Sequence, residues 1–130
     1  MPSEHEDRRR HSLAERRARY RRGHTSEWLA AAVLMAKGYR ILARRYRTHG
    51  GEIDLVAVRG QRLAFVEVKR RRTRAEAEAA IEEVQSRRLG VAVDHWLARH
   101  AGYREHEIGL DAVLVLPWRW PIHIENALAP

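Results

Sequence analysis

Gly51-Glu52-Ile53-Asp54-Leu55-Val56-Ala57-Val58 and Leu63-Ala64-Phe65-Val66-Glu67-Val68-Lys69, separated by Arg59-Gly60-Gln61-Arg62, decide how this chain folds. Both runs are apolar and rich in β-branched residues, as strands require. Glycine at the first central position of a two-residue loop suits a type II′ turn, so Gly60 and Gln61 predict a tight antiparallel hairpin. That register sets Arg59 against Arg62, Val58 against Leu63, Val56 against Phe65 and Asp54 against Glu67. Directly opposed side chains lie about 5 Å apart at Cβ, where like charges repel. Lys69 follows Glu67 by two residues and so shares its face. Two carboxylates and an ammonium gathered on an apolar strand face need a reason. A divalent cation held between Asp54 and Glu67 is the most economical one.

Working outward, both faces of each strand are largely apolar, so helices should cover the sheet on both sides. Upstream, Thr25 or Ser26 can cap a helix from Glu27 to about Lys37, which Gly38 ends. Its core stripe is Ala31, Leu34 and Met35, and Glu27 heads that stripe. A carboxylate there is either a site residue or a first-turn acid favoured by the helix dipole. Tyr39 to Tyr46 reads as the first strand, with Ile41 and Ala43 on one face, and Thr48-His49-Gly50-Gly51 as a turn. Downstream, Ala75 to about Arg99 is helical in pattern, with Gly90 its weak point. Ile108 to Leu116 is a strand containing Asp111 and closed by Pro117, and Ile122-His123-Ile124 adds an edge segment. A helix between two strands makes the last strand parallel to the third. The order is α-β-β-β-α-β, an α/β fold with a mixed sheet of four or five strands. Residues 1–22 are expected to be a basic arm, and 23–130 the folded domain.

A length of 130 residues supports a real core, and the absence of cysteine excludes thiolate zinc sites and thiol catalysis. The longest apolar run, Trp28 to Ala36, is too short for a bilayer, and the polar amino terminus lacks a secretory apolar core. A cytoplasmic protein without a membrane partner is expected. The net charge of +8 points to a polyanion such as nucleic acid. Half of that charge comes from residues 1–23, where eight arginines face four acids. The run Lys69-Arg70-Arg71-Arg72 with Arg74 is more telling, because it emerges beside the acidic pair. Of 25 basic residues only Lys37 and Lys69 are lysine, which hints that position 69 wants a compact ammonium.

A helix with Glu27, a Gly-Glu-Ile-Asp-Leu strand and a Phe-Val-Glu-Val-Lys strand in this order resemble the PD-(D/E)xK restriction-endonuclease-like nucleases. More narrowly, the chain resembles the YraN family from about Gly23 to Ala127. The resemblance implies a three-layer restriction-endonuclease-like core. It implies that Asp54, Glu67 and the backbone carbonyl of Val68 hold Mg²⁺ or Mn²⁺. Lys69 would hold the attacking water and stabilise charge at the scissile phosphate. Glu27 matches the helix acid of the Holliday-junction-resolvase branch, acting as a ligand or through water. Arg70, Arg71, Arg72 and Arg74 would contact the nucleic acid backbone. Departures are Ile53 in place of the eponymous proline, Gln85 where lysine is common, and Gly109 where arginine is common.

Other candidates are weaker. His95, His100 and His106 are spaced by five and six residues and do not line one helical face. Glu52 could assist the site but stands near a strand start, Asp111 suits a structural hydrogen bond, and Ser12, Ser26 and Ser86 lack a neighbouring base. The expected function is a metal-dependent endonuclease acting on DNA in preference to RNA, with branched or structured DNA among the candidate substrates and a homodimer compatible. The alternatives are a non-catalytic basic nucleic-acid-binding protein that keeps the nuclease fold, and a structural partner in a nucleoprotein complex.

Overall fold

The computed structural model describes residues 25–128; the arm expected over 1–22 lies outside them. A helix over residues 25–36 (α1) leads into strands β1 (Arg40–Thr48), β2 (Gly51–Arg59) and β3 (Arg62–Arg70). Helices α2 (Arg74–Glu82) and α3 (Ser86–Arg99) and a 3₁₀ turn at Ala101–Tyr103 follow, then strands β4 (Glu107–Val115) and β5 (Ile122–Ile124). The five strands lie in chain order in one open sheet, antiparallel throughout except for the parallel β3–β4 pair. The hairpin forms as expected: Gly60 has φ +57°, Gln61 keeps negative φ, and Arg59 pairs with Arg62. Only the first central residue of a type II′ turn needs positive φ, and glycine supplies it without a steric cost.

Two helical layers enclose the sheet. On one face, Ala30, Ala31 and Leu34 of α1 pack on Leu55, Ala57, Ala64, Val66, Val113 and Val115. On the other, Leu89, Ala92, Val93 and Trp96 of α3 pack on Val56, Val58, Leu63 and Phe65. Beside them, Ala77 and Ile81 of α2 cover Ala112 and Leu114. The double apolar coverage read from the strands is therefore a three-layer α/β core.

Three local expectations are corrected. Met35 is exposed, and Ala30 and Val33 are buried with Ala31 and Leu34; the stripe runs through positions 27, 30, 31 and 34, leaving 35 at its margin. Ile41 pairs with Ala57 but Ala43 with Val56, so a bulge at Leu42 sends Ile41 and Ala43 to opposite faces. The expected single helix from Ala75 is two helices, broken at Glu83–Gln85 and not at Gly90, which lies inside α3. The break frees α3 to lie close against β2. A Cβ on Gly51 would stand 2.6 Å from the Arg88 carbonyl and 2.8 Å from the Ala92 nitrogen. Gly51 is therefore a close-packing residue of β2 more than a turn residue.

At the amino end of β3 and β4, Arg62 donates two bonds to buried Asp111, at 2.6 and 2.8 Å. His123 Nε2 lies 2.8 Å from the same carboxylate, and the Asn126 amide donates to it at 2.9 Å. Burial alone would raise the Asp111 pKa, but the Arg62, His123 and Asn126 bonds outweigh it and hold the carboxyl below the usual range. The guanidinium sits over Gly109, where a Cβ would lie 2.3 Å from it. Asp111 is thus structural, as its sequence setting suggested. Arg62→Met should cost about 3–5 kcal/mol in urea unfolding, because a buried carboxylate loses its main partner. The stabilisation is present above the ordinary aspartate pKa and is lost as pH falls through the lowered native value.

Candidate active site

The β2–β3 ladder pairs from Arg59–Arg62 to Leu55–Val66 and stops there. One residue on, the Asp54 carboxylate accepts the Val68 amide at 2.7 Å. A side chain thus takes the amide, and the expected backbone pairing of Asp54 with Glu67 is replaced by this contact. Ile53 and Val56 pack in one cluster although they are three positions apart, so the two-residue alternation fails around Asp54. Across the sheet, Arg45 of β1 has φ +50°. The irregularity lets the strands part, and a cleft of about 390 Å³ opens at the carboxyl end of β3. Open α/β sheets bind ligands at that end of their parallel strands.

Glu27, Asp54, Glu67, Val68 and Lys69 all line this cleft, with Ser26, Arg47, Glu52, Arg70 and Arg71. Glu67 and Lys69 come from β3, Asp54 from β2, and Glu27 from α1 on the far face of the sheet. The Lys69 ammonium lies 3.2 Å from Glu67. Burial, then the charge of Glu67, push the Asp54 carboxyl up to about 7, against the opposing Val68 hydrogen bond. Burial also raises Glu67, and Lys69 opposes the rise. Two desolvated, mutually repelling carboxylates beside one ammonium form an oxygen donor pair that a hard divalent cation suits. Val68, with its main-chain carbonyl, is the third candidate donor on the cleft wall.

Glu27 approaches the cleft from α1, and its charge adds to the upward push on Asp54. The Glu27 side chain is buried, and both oxygens accept from Arg45 Nε at 2.8 Å. Among the described residues no three His, Asp or Glu side chains are gathered into a ready metal cage. Asp54 and Glu67 are the donors that a cation would meet as a pair, and Glu27, tied to Arg45, lines the same cleft. Sequence reasoning missed Arg45, since nothing separates it from its arginine neighbours until the strand irregularity is seen. Arg47 was missed for the same reason; it lines the cleft 3.9 Å from Glu52.

The basic residues divide. Arg70 and Arg71 line the cleft, and Arg72 lines an adjoining groove. Arg74 does not line the cleft; it pairs with Glu78 at 2.8 Å along α2. Gln85 borders a recess shared with Glu52, Glu67 and Lys69, so it adjoins the site. The histidines pack on aromatic rings: His100 stacks on Trp96 at 4.0 Å, and His95 and His106 lie against Tyr46 and Tyr103.

The raised Asp54 pKa sets a pH dependence. Between about 3.8 and about 7 the folded chain binds more protons at Asp54 than the unfolded chain. Stability without added metal should therefore fall as pH rises through this window. Asp54→Asn should flatten that slope, read from urea midpoints measured at successive pH values.

Residues 26–115 match the family described as "Uncharacterised protein family UPF0102". A UPF0102 protein of Mesorhizobium japonicum is 59% identical over 114 residues, covering 88% of this chain and 91% of its own. One of Chelativorans sp. is 51% identical over 117 residues, covering 90% and 94%. A third, of Rhizobium meliloti, is 47% identical over 107 residues, covering 82% and 88%. Among the described residues no helix is long and apolar enough to cross a membrane. The chain belongs to the UPF0102 family, the YraN-type group that its hairpin resembles.

Proposed function

We propose that this UPF0102 protein is a metal-dependent phosphodiester hydrolase of the PD-(D/E)xK type, acting on DNA. The observation that carries the reading is one cleft holding half-buried Asp54 and Glu67, with Lys69 3.2 Å from Glu67, beneath a rim of Arg70 and Arg71. Asp54 and Glu67, with the Val68 carbonyl, would hold Mg²⁺ or Mn²⁺. When bound, such an ion supplies Lewis acidity at phosphate and lowers the pKa of water. The chain's own groups do the rest. Lys69 presents a compact charge to the attacking water and to the phosphate oxygens, where negative charge develops. Val68 fixes the Asp54 carboxylate through its amide, so that carboxylate is oriented before substrate arrives. Arg70 and Arg71 neutralise neighbouring backbone phosphates. Arg45 pairs with Glu27 on the cleft wall.

Glu27 being held by Arg45 favours a second reading, a non-catalytic nucleic-acid-binding module. The test is a panel of labelled linear, flapped and four-way DNA and matching RNA, each incubated with Mg²⁺, Mn²⁺ or EDTA. Cleavage of DNA that requires the metal supports the hydrolase. Tight binding with no cleavage of any substrate supports the module.

A further inference from the structure

The loop Pro117-Trp118-Arg119-Trp120-Pro121 joins β4 to β5. Because β4 runs parallel to β3, with Arg70 beside Val115 and the Arg71 amide bonded to the Val115 carbonyl at 3.2 Å, this loop leaves the sheet at the cleft end. A groove of about 960 Å³ lies there, and Arg70, Arg71, Arg72 and Arg119 line it against one acid, Glu76. Arg70 and Arg71 line both groove and cleft, so the two are continuous. Trp118 lines the groove fully exposed, and Trp120 beside it is 66% exposed. Trp118 also has φ +62°, a conformation that costs a bulky residue about 1–3 kcal/mol. A proline at each end of the loop restricts its backbone.

A large aromatic ring held outward at a strained position, beside four arginines, suits a polyanion that carries flat apolar groups. Duplex DNA hides its base faces in the stack; an unpaired strand offers them. We propose that this groove binds an unpaired DNA strand, one base stacking on Trp118 and its phosphates lying on Arg70, Arg71, Arg72 and Arg119. The strand then continues to the Lys69 cleft. The continuation rests on the hydrolase reading; the binding does not. Substrates with a flap or another single-stranded segment are the implied class.

The test is anisotropy of labelled oligothymidylate and of blunt duplex with the full chain in EDTA, where binding is read without turnover. Trp118→Ala should weaken oligothymidylate binding by about tenfold and leave its salt slope unchanged, and Trp118→Phe should recover most of the loss. Arg119→Gln should instead lower the salt slope by about 0.7. Duplex affinity should be the same in Trp118→Ala as in the wild type. Wild-type affinity of Trp118→Ala for oligothymidylate, or an equal loss on duplex, overturns the proposal. So does a wild-type dimer that Trp118→Ala abolishes without changing strand binding, which makes a second copy the occupant. If the pattern holds and the wild type never cleaves, the groove stands and the hydrolase falls. If the wild type cleaves with metal and Trp118→Ala binds the strand unaltered, the hydrolase stands and the groove falls.

Discussion

Lys69→Ala should lower single-turnover cleavage at saturating DNA by about 10²–10⁴-fold, the range for losing a positioned proton-transfer or charge-stabilising group. Its effect on affinity should stay within about tenfold, because it removes one cation among several and lowers the salt slope by no more than about one. The split follows from where the ammonium sits. It lies inside the cleft against Glu67, while Arg70 and Arg71 stand at the rim where a backbone first arrives. Lys69→Arg should not restore the rate, since a planar fork cannot occupy the space of a point charge beside a small nucleophile. Parallel losses of rate and affinity would make Lys69 a binding residue.

Mg²⁺ or Mn²⁺ should raise the melting temperature, and Asp54→Asn should remove that response. At one hundred times Kd, a single site adds about 2.7 kcal/mol. For a chain of this size that corresponds to about 10 °C. Without metal the variant should be as stable as the wild type at neutral pH or more so. The amide oxygen can still accept the Val68 amide, and a desolvated charge that repels Glu67 is gone. Differential scanning fluorimetry at pH 7.5 reads both effects. An equal metal shift in the two proteins would place the ion elsewhere.

Much of this was legible in the sequence because the hairpin is specified locally. Gly60 and Gln61 fix the turn, the turn fixes the register, and alternation then brings Glu67 and Lys69 to one face. The double apolar coverage of Leu55, Val56, Phe65 and Val66 likewise foretold helices on both sides. What local pattern could not give was where alternation fails. At Asp54 a side-chain contact replaces a ladder bond, and β1 carries a bulge at Leu42 and a positive φ at Arg45. The partner of Glu27 stayed hidden for that reason. The seating of α3 on Gly51 is likewise a contact between residues far apart in the chain. Trp118 carried no periodic signal, and only the path of β4 places it beside the arginines.

The most direct measurement is the single-turnover rate on the best-cleaved structured DNA, comparing wild type, Asp54→Asn and Glu67→Gln with Mg²⁺ and with EDTA. The expected result is cleavage by the wild type in Mg²⁺ alone, and a loss of about 10²-fold or more in each variant while DNA affinity is kept. Cleavage that survives EDTA, or that persists at the wild-type rate in either variant, would contradict a metal-dependent site built on Asp54 and Glu67.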